Sequence, residues 1–145
     1  MTKPIKPEGL SPLVGTWKTT GATSATSDAP GEPIEATDRY EWMEGGFFLL
    51  HHIDSQFPEV FHGLEVIGHD AASGDCSVTY FDSKGRTLTS TGELKGGVWR
   101  IFSATERFAG AFSEDGETLS GMWERSEDGL TWQPWIDLTL RKVRE

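Results

Sequence analysis

Cysteine is almost absent from this 145-residue chain, because Cys76 is the only one and no intramolecular disulfide can form. Long apolar runs are absent too, since no stretch approaches the roughly 20 apolar residues of a membrane span. The first seven residues, MTKPIKP, lack the apolar core of a signal peptide. We therefore expect a reduced, cytoplasmic protein with no membrane partner.

Basic residues are scarce, and the motifs of common enzymes are missing. The chain has 13 Lys and Arg against 23 Asp and Glu, which gives a formal net charge of −10. Nucleic-acid binding needs a basic surface that displaces counterions, so this charge excludes nucleic acid as a partner. There is no Gly-x-Ser-x-Gly elbow, no phosphate-binding Gly loop and no His-x-His pair. We expect no metal site, and no reaction is indicated by a motif.

A turn unit that occurs twice is the strongest signal present. The segment 81–89, FDSKGRTLT, reappears as FSEDGETLS at 112–120, and a third corner, SEDG, follows at 126–129. Such corners between alternating segments favour β-hairpins, because Gly adopts a positive φ at no steric cost. A long antiparallel meander of hairpins closes into a barrel.

Alternation and turn residues together predict about ten strands. They lie near residues 13–20, 34–44, 47–55, 62–70, 76–82, 86–95, 98–103, 107–113, 117–125 and 131–141. A short helical turn at Ser11-Pro12 precedes them, since Ser suits the N-cap and Pro the first helical position. The sequence thus predicts an all-β, single antiparallel barrel over residues 10–145, preceded by a flexible arm over residues 1–9.

Several segments carry a family resemblance. Gly15-Thr16-Trp17 resembles the Gly-x-Trp signature of lipocalins, in which the Trp packs across the closed barrel end beneath an Arg of the last strand. Arg141 is the matching residue here, with Arg39 as the substitute. Three longer segments, TDRYEWMEGGFFLLH (37–51), LEVIGHD (64–70) and WERSEDGLTWQPWID (123–137), are similar to an uncharacterised bacterial family of lipocalin-like proteins.

The resemblance covers roughly residues 10–141. It implies a calycin fold, similar to lipocalins and fatty-acid-binding proteins, but no reaction, because fold does not fix function. Haem-binding barrels related to this fold use a histidine near the C-terminus, whereas the last histidine here is His69. We expect no haem and no other cofactor.

The predicted function is binding of a small apolar or aromatic ligand in the barrel cavity, since aromatic walls with a few polar groups are typical of ligand sites. The candidate ligand-binding residues are Tyr40, Trp42, Leu49, His51, Arg107, Trp123, Trp135 and Asp137. One alternative is a cofactor-independent isomerase or cyclase that uses His51 as acid or base with Glu65 or Asp137. Another is an interaction module whose interior is filled by its own aromatic side chains.

The sequence is compatible with two positions of the Asp137 side chain. If the aliphatic face of the last strand packs inward, Asp137 lies on the outer surface. If the Trp135 face looks inward, Asp137 is a carboxylate inside the barrel and needs a partner, because an unpaired buried charge is costly. We expect the interior placement, with Arg107 or His51 as the partner.

Overall fold

Ten antiparallel strands close into a single barrel in the computed structural model, which describes residues 3–26 and 28–144. A 3-10 helix, Glu8–Leu13, precedes them. The strands are β1 (Gly15–Thr23), β2 (Pro33–Trp42), β3 (Phe48–Phe57), β4 (Phe61–His69), β5 (Cys76–Asp82), β6 (Thr87–Lys95), β7 (Val98–Phe102), β8 (Glu106–Phe112), β9 (Thr118–Arg125) and β10 (Gln133–Lys142). The predicted all-β fold with an antiparallel ten-stranded barrel is confirmed.

The three predicted corners each join consecutive strands. Gly85, Gly116 and Gly129 have φ angles of 83°, 72° and 78°, in the left-handed region that only Gly adopts without strain. Pairing runs from each strand to the next along the chain, and β1 pairs with β10 to close the barrel. In the described ranges no helix has the length and apolar character needed to cross a membrane.

One end of the barrel is sealed by the N-terminal helix. Leu10 and Leu13 lie on this helix and are buried in the main hydrophobic cluster together with Trp17 of β1. The helix begins at Glu8, so Ser11 lies within it rather than at its N-cap, and the Ser11 hydroxyl donates to the Glu8 carbonyl at 2.8 Å. The predicted helical turn is therefore present, but its first residue is Glu8 and not Pro12, four residues earlier.

Trp17 closes the same end and is fully buried, as predicted. Its indole Nε1 donates to the Leu13 carbonyl at 2.8 Å, and Lys142 Nζ lies 4.9 Å from the ring centroid. The prediction that Arg141 supplies this cation was wrong. Successive side chains of β10 point to opposite faces, so Lys142 shares the face of Trp17 and Arg141 does not. Arg141 is exposed on the outer wall, where its Nη1 donates to Thr20 Oγ1 at 3.3 Å.

Candidate functional site

The interior of the barrel contains a cavity of about 700 Å³. It opens between the loops at the end of the barrel opposite Trp17, since its lining reaches Pro58, Arg86 and Thr105. Aromatic side chains form much of its wall, namely Tyr40, Phe57, Phe61, Tyr80, Trp99, Phe108, Trp123 and Trp135. A water-accessible space of this size and character is typical of a small-molecule site.

Three ionisable side chains meet at the inner part of this cavity, and we call Asp38, His51 and Glu65 the buried triad. His51 Nε2 lies 2.6 Å from Asp38 Oδ1, and His51 Nδ1 lies 2.6 Å from Glu65 Oε1. Each of the three side chains is only 8–9% exposed. The imidazole is therefore held at both nitrogens by carboxylates inside the barrel.

Strand register explains how the triad forms. Glu65 on β4 lies opposite His51 on β3, and His51 lies opposite Tyr40 on β2. Directly opposed residues of an antiparallel pair share a face, with Cβ atoms about 4.5–5.5 Å apart. Asp38 lies two residues before Tyr40 and therefore points to the same interior face, diagonal to His51.

The charge state of His51 follows from its two partners. Burial alone would lower the pKa of His51, but the hydrogen bonds and charges of Asp38 and Glu65 outweigh it and raise the pKa from 6.5 to about 9. The imidazole is therefore protonated at neutral pH and donates from both nitrogens. Since two carboxylates flank one imidazolium, the triad retains an excess of negative charge.

Tyr40 and Thr19 complete the polar region. The Tyr40 ring stacks on the His51 ring with centroids 3.9 Å apart and planes 9° apart. The Thr19 hydroxyl donates to the second oxygen of Asp38. Burial, together with the charges of Asp38 and Glu65, raises the pKa of Tyr40 well above its usual value, so its hydroxyl stays protonated.

A second polar network lies at the mouth of the cavity. Asp82 accepts from the Tyr80 hydroxyl at 2.6 Å and from Arg86 Nε at 2.7 Å, and Arg86 Nη1 reaches Glu59 Oε2 at 3.2 Å. Although burial opposes it, these hydrogen bonds and those of backbone N–H groups lower the pKa of Asp82 to about 2. The network links the β3–β4 and β5–β6 loops on one side of the opening.

Four of the predicted ligand-binding residues line the cavity: Tyr40, His51, Trp123 and Trp135. Two others, Leu49 and Trp42, belong to the hydrophobic cluster rather than to the cavity lining; Leu49 is fully buried, and Trp42 is partly buried against that cluster. Trp123 packs against Trp135 with centroids 6.4 Å apart in an edge-on arrangement.

The remaining two, Arg107 and Asp137, lie outside, which corrects the prediction of an interior ion pair. Asp137 is exposed, and Arg107 Nε pairs with Glu124 Oε1 at 2.9 Å on the outer wall. The aliphatic face of β10 points inward, yet Trp135 also reaches the cavity because the β9–β10 register shifts between Pro134 and Ile136. A bulge of this kind lets neighbouring residues face one side of a sheet.

Sequence reasoning missed Asp38 and Thr19 and named Glu65 only in the enzymatic alternative. Alternation carried a usable signal, because Asp38 shares a face with Tyr40 in the strand predicted over residues 34–44. In the described ranges, no group of three or more His, Cys, Asp or Glu is arranged to hold a metal ion. The triad side chains bond one another instead of converging on a common point.

Comparison with known proteins places this barrel in a family. A family model matches residues 6–111, which is more than half of the chain. The chain belongs to the DUF1579 family. The description of DUF1579 is "Protein of unknown function", so membership assigns no activity. No curated protein matches the chain.

A solved structure shares the fold of this DUF1579 protein. The crystal structure of Rv2717c from M. tuberculosis superposes with a TM-score of 0.64 at 15% sequence identity. The match covers 94% of this chain and 96% of that one. At this low identity the likeness extends to the fold alone.

Proposed function

We propose that this protein binds a small, largely apolar or aromatic molecule inside its barrel. The observation that supports this is the cavity of about 700 Å³, whose wall is rich in aromatic side chains. Ligand sites usually occupy about 300–1,000 Å³ and combine apolar walls with a few polar groups. The buried triad and the Tyr40 hydroxyl supply those polar groups on one side of the cavity.

A lipocalin-like relationship is part of this proposal. Trp17 lies across the closed end beneath a cation of the last strand, as the Gly-x-Trp resemblance implies, although that cation is Lys142. A cytoplasmic location, expected from the lone Cys76, also stays a prediction.

The two alternatives fit the structure less well. A cavity of this volume argues against a barrel filled by its own side chains. Both nitrogens of His51 are engaged by Asp38 and Glu65, so His51 has no free nitrogen with which to exchange a proton with a substrate. Acid–base chemistry at this site would have to involve a carboxylate of the triad.

Titration with a neutral fluorescent probe, N-phenyl-1-naphthylamine, tests the proposal. We expect one saturable site per chain and quenching of tryptophan emission. Trp123→Ala should weaken binding because Trp123 lines the cavity, and Ala36→Phe should weaken it by occupying space there. Trp132→Ala is the matched control, since Trp132 stacks under Arg107 on the outer wall with 4.1 Å between the guanidinium carbon and the ring centroid.

Unsaturable binding, or equal affinities in wild type and in both cavity variants, would overturn the proposal. Circular dichroism and the melting temperature of each variant establish that a loss of binding is not a loss of fold.

A further inference from the structure

The polar part of the cavity contains acceptors that the protein itself leaves unused. Glu65 is 7% exposed, and its Oε1 meets His51, while its Oε2 has no hydrogen-bond partner among the side chains and backbone groups of residues 3–26 and 28–144. Tyr40 is 4% exposed, and its hydroxyl likewise has no partner in those ranges. Both residues line the cavity. A hydrogen-bond donor of a ligand in the cavity can therefore bond both groups in place of water.

The charge around these two groups favours a cation. Apart from Tyr40 and Tyr80, the ionisable side chains that line the cavity are four carboxylic acids and two bases, namely Asp38, Glu59, Glu65, Glu106, His51 and Arg86. His51 is already held by two carboxylates, and Arg86 bonds Asp82 and Glu59 at the mouth. A carboxylate ligand would therefore meet excess negative charge without a free counter-ion in the cavity lining as described, and an uncompensated buried charge is strongly unfavourable.

The aromatic wall favours the same class of ligand. Trp99, Phe108 and Trp123 line the cavity, and Trp123 and Phe108 pack with centroids 5.3 Å apart. The face of an aromatic ring attracts a cation through its quadrupole, most strongly where water is excluded. The net charge of −10 adds a long-range attraction for positively charged molecules.

We propose that the cavity selects organic cations, in the form of a protonated amine attached to an apolar or aromatic body. The ammonium group donates to Glu65 Oε2 and contacts the Tyr40 hydroxyl oxygen, while the body packs against the aromatic wall. Fatty acids and other carboxylate amphiphiles are excluded. This inference rests on the proposed function, because it names the ligand class of the same cavity.

Three ligands that share a naphthalene ring and differ in their polar group test this selectivity for cations: 2-naphthylmethylamine, 2-naphthylmethanol and 2-naphthoate. Their affinities are measured by isothermal titration calorimetry at pH 7 and constant ionic strength. We expect the amine to bind at least tenfold more tightly than the alcohol, which is about 1.4 kcal/mol, and the acid to bind most weakly. Equal affinities of amine and alcohol, or tighter binding of the acid, would overturn the ligand class. Failure of all three ligands and of the neutral probe would instead overturn the proposed function.

Three substitutions test which side chain is responsible for the preference for the amine over the alcohol. Glu65→Gln keeps an oxygen that accepts from His51 but removes the charge, so the preference for amine over alcohol should fall to about twofold or less, while affinity for the alcohol changes little. Glu124→Gln, which removes a carboxylate from the outer wall, should leave the tenfold preference intact. Tyr40→Phe keeps the ring that stacks on His51 and should weaken amine binding severalfold.

An unchanged preference in folded Glu65→Gln would refute the role given to that carboxylate. If Glu65→Gln does not fold, the Tyr40→Phe variant and the order of the three ligands on the wild-type protein decide the outcome.

Discussion

Raising the pH should weaken the barrel through His51. Burial alone would lower the pKa of this imidazole, but its hydrogen bonds to Asp38 and Glu65 raise it from 6.5 to about 9. In the unfolded chain the same group titrates near 6.5. The folded protein therefore keeps a proton that the unfolded chain releases, and the free energy of unfolding falls as the pH rises through this window.

The size of the effect follows from the two pKa values of His51. One pKa unit corresponds to about 1.4 kcal/mol, so a rise from 6.5 to about 9 is worth about 3 kcal/mol. This contribution is fully present below pH 6.5 and is lost above about pH 9. Since domains of this kind are stable by only about 5–15 kcal/mol, the change is a large fraction of the total.

Urea denaturation followed by tryptophan fluorescence at about pH 6, 7, 8 and 9 measures how the free energy of unfolding changes with pH. Between the two pKa values of His51 it should fall by about 1.4 kcal/mol per pH unit, and below the lower one it should change little. His51→Gln should abolish this fall, because an amide does not titrate in this range. His62→Gln is the control, since the His62 side chain is 78% exposed. A flat wild-type profile, or a slope that survives in His51→Gln, would refute the assigned charge state of the triad.

Three further substitutions test the packing by the same denaturation assay. Trp17→Ala should cost about 3–5 kcal/mol, because it removes a fully buried ring at the closed end. Asp137→Asn should change stability by no more than about 0.5 kcal/mol, because Asp137 is exposed. Gly92→Ala should cost about 1–3 kcal/mol through overpacking, since the new methyl carbon would lie 2.7 Å from Trp99 Cη2.

Each of these substitutions has a matched comparison. Arg141→Met, on the outer wall of the strand that pairs with β1, should be close to neutral. Asp28→Asn changes a loop carboxylate and should match Asp137→Asn. Gly9→Ala adds a methyl group where nothing lies within 4 Å and should be tolerated. A larger loss for Asp137→Asn than for Asp28→Asn, or a neutral Gly92→Ala, would contradict the side-chain placements described above.

The strands and corners could be predicted because their signals are local. A corner such as that at Gly85 or Gly116 needs a positive φ at one residue, and the flanking alternation needs only the residues of one strand. The register between strands, in contrast, depends on two segments of the chain at once. Asp38 and His51 are both visible as polar residues in predicted strands, but their contact depends on Tyr40 lying opposite His51. No pattern within a single strand specifies that alignment.

The error over Asp137 has an equally specific cause. Strict alternation puts Trp135 and Asp137 on one face, so an inward Trp135 implied an inward carboxylate. The shift of register between Pro134 and Ile136 breaks this link, because it lets Trp135 face the cavity while Ile136 and the residues after it resume the opposite alternation. A bulge is set by the pairing of two strands, and β10 alone did not reveal it.

The seam between β1 and β10 has a consequence for the order in which the barrel assembles. Each of the other pairings joins strands that are consecutive in the chain and separated by short connections. Across the seam, Arg141 bonds Thr20, 121 residues away. Loop-closure entropy makes such a contact costlier than a ten-residue hairpin by about 2 kcal/mol. We therefore expect the hairpins to form before the seam between β1 and β10 closes the barrel. Weakening the seam should therefore speed unfolding and leave the folding rate nearly unchanged.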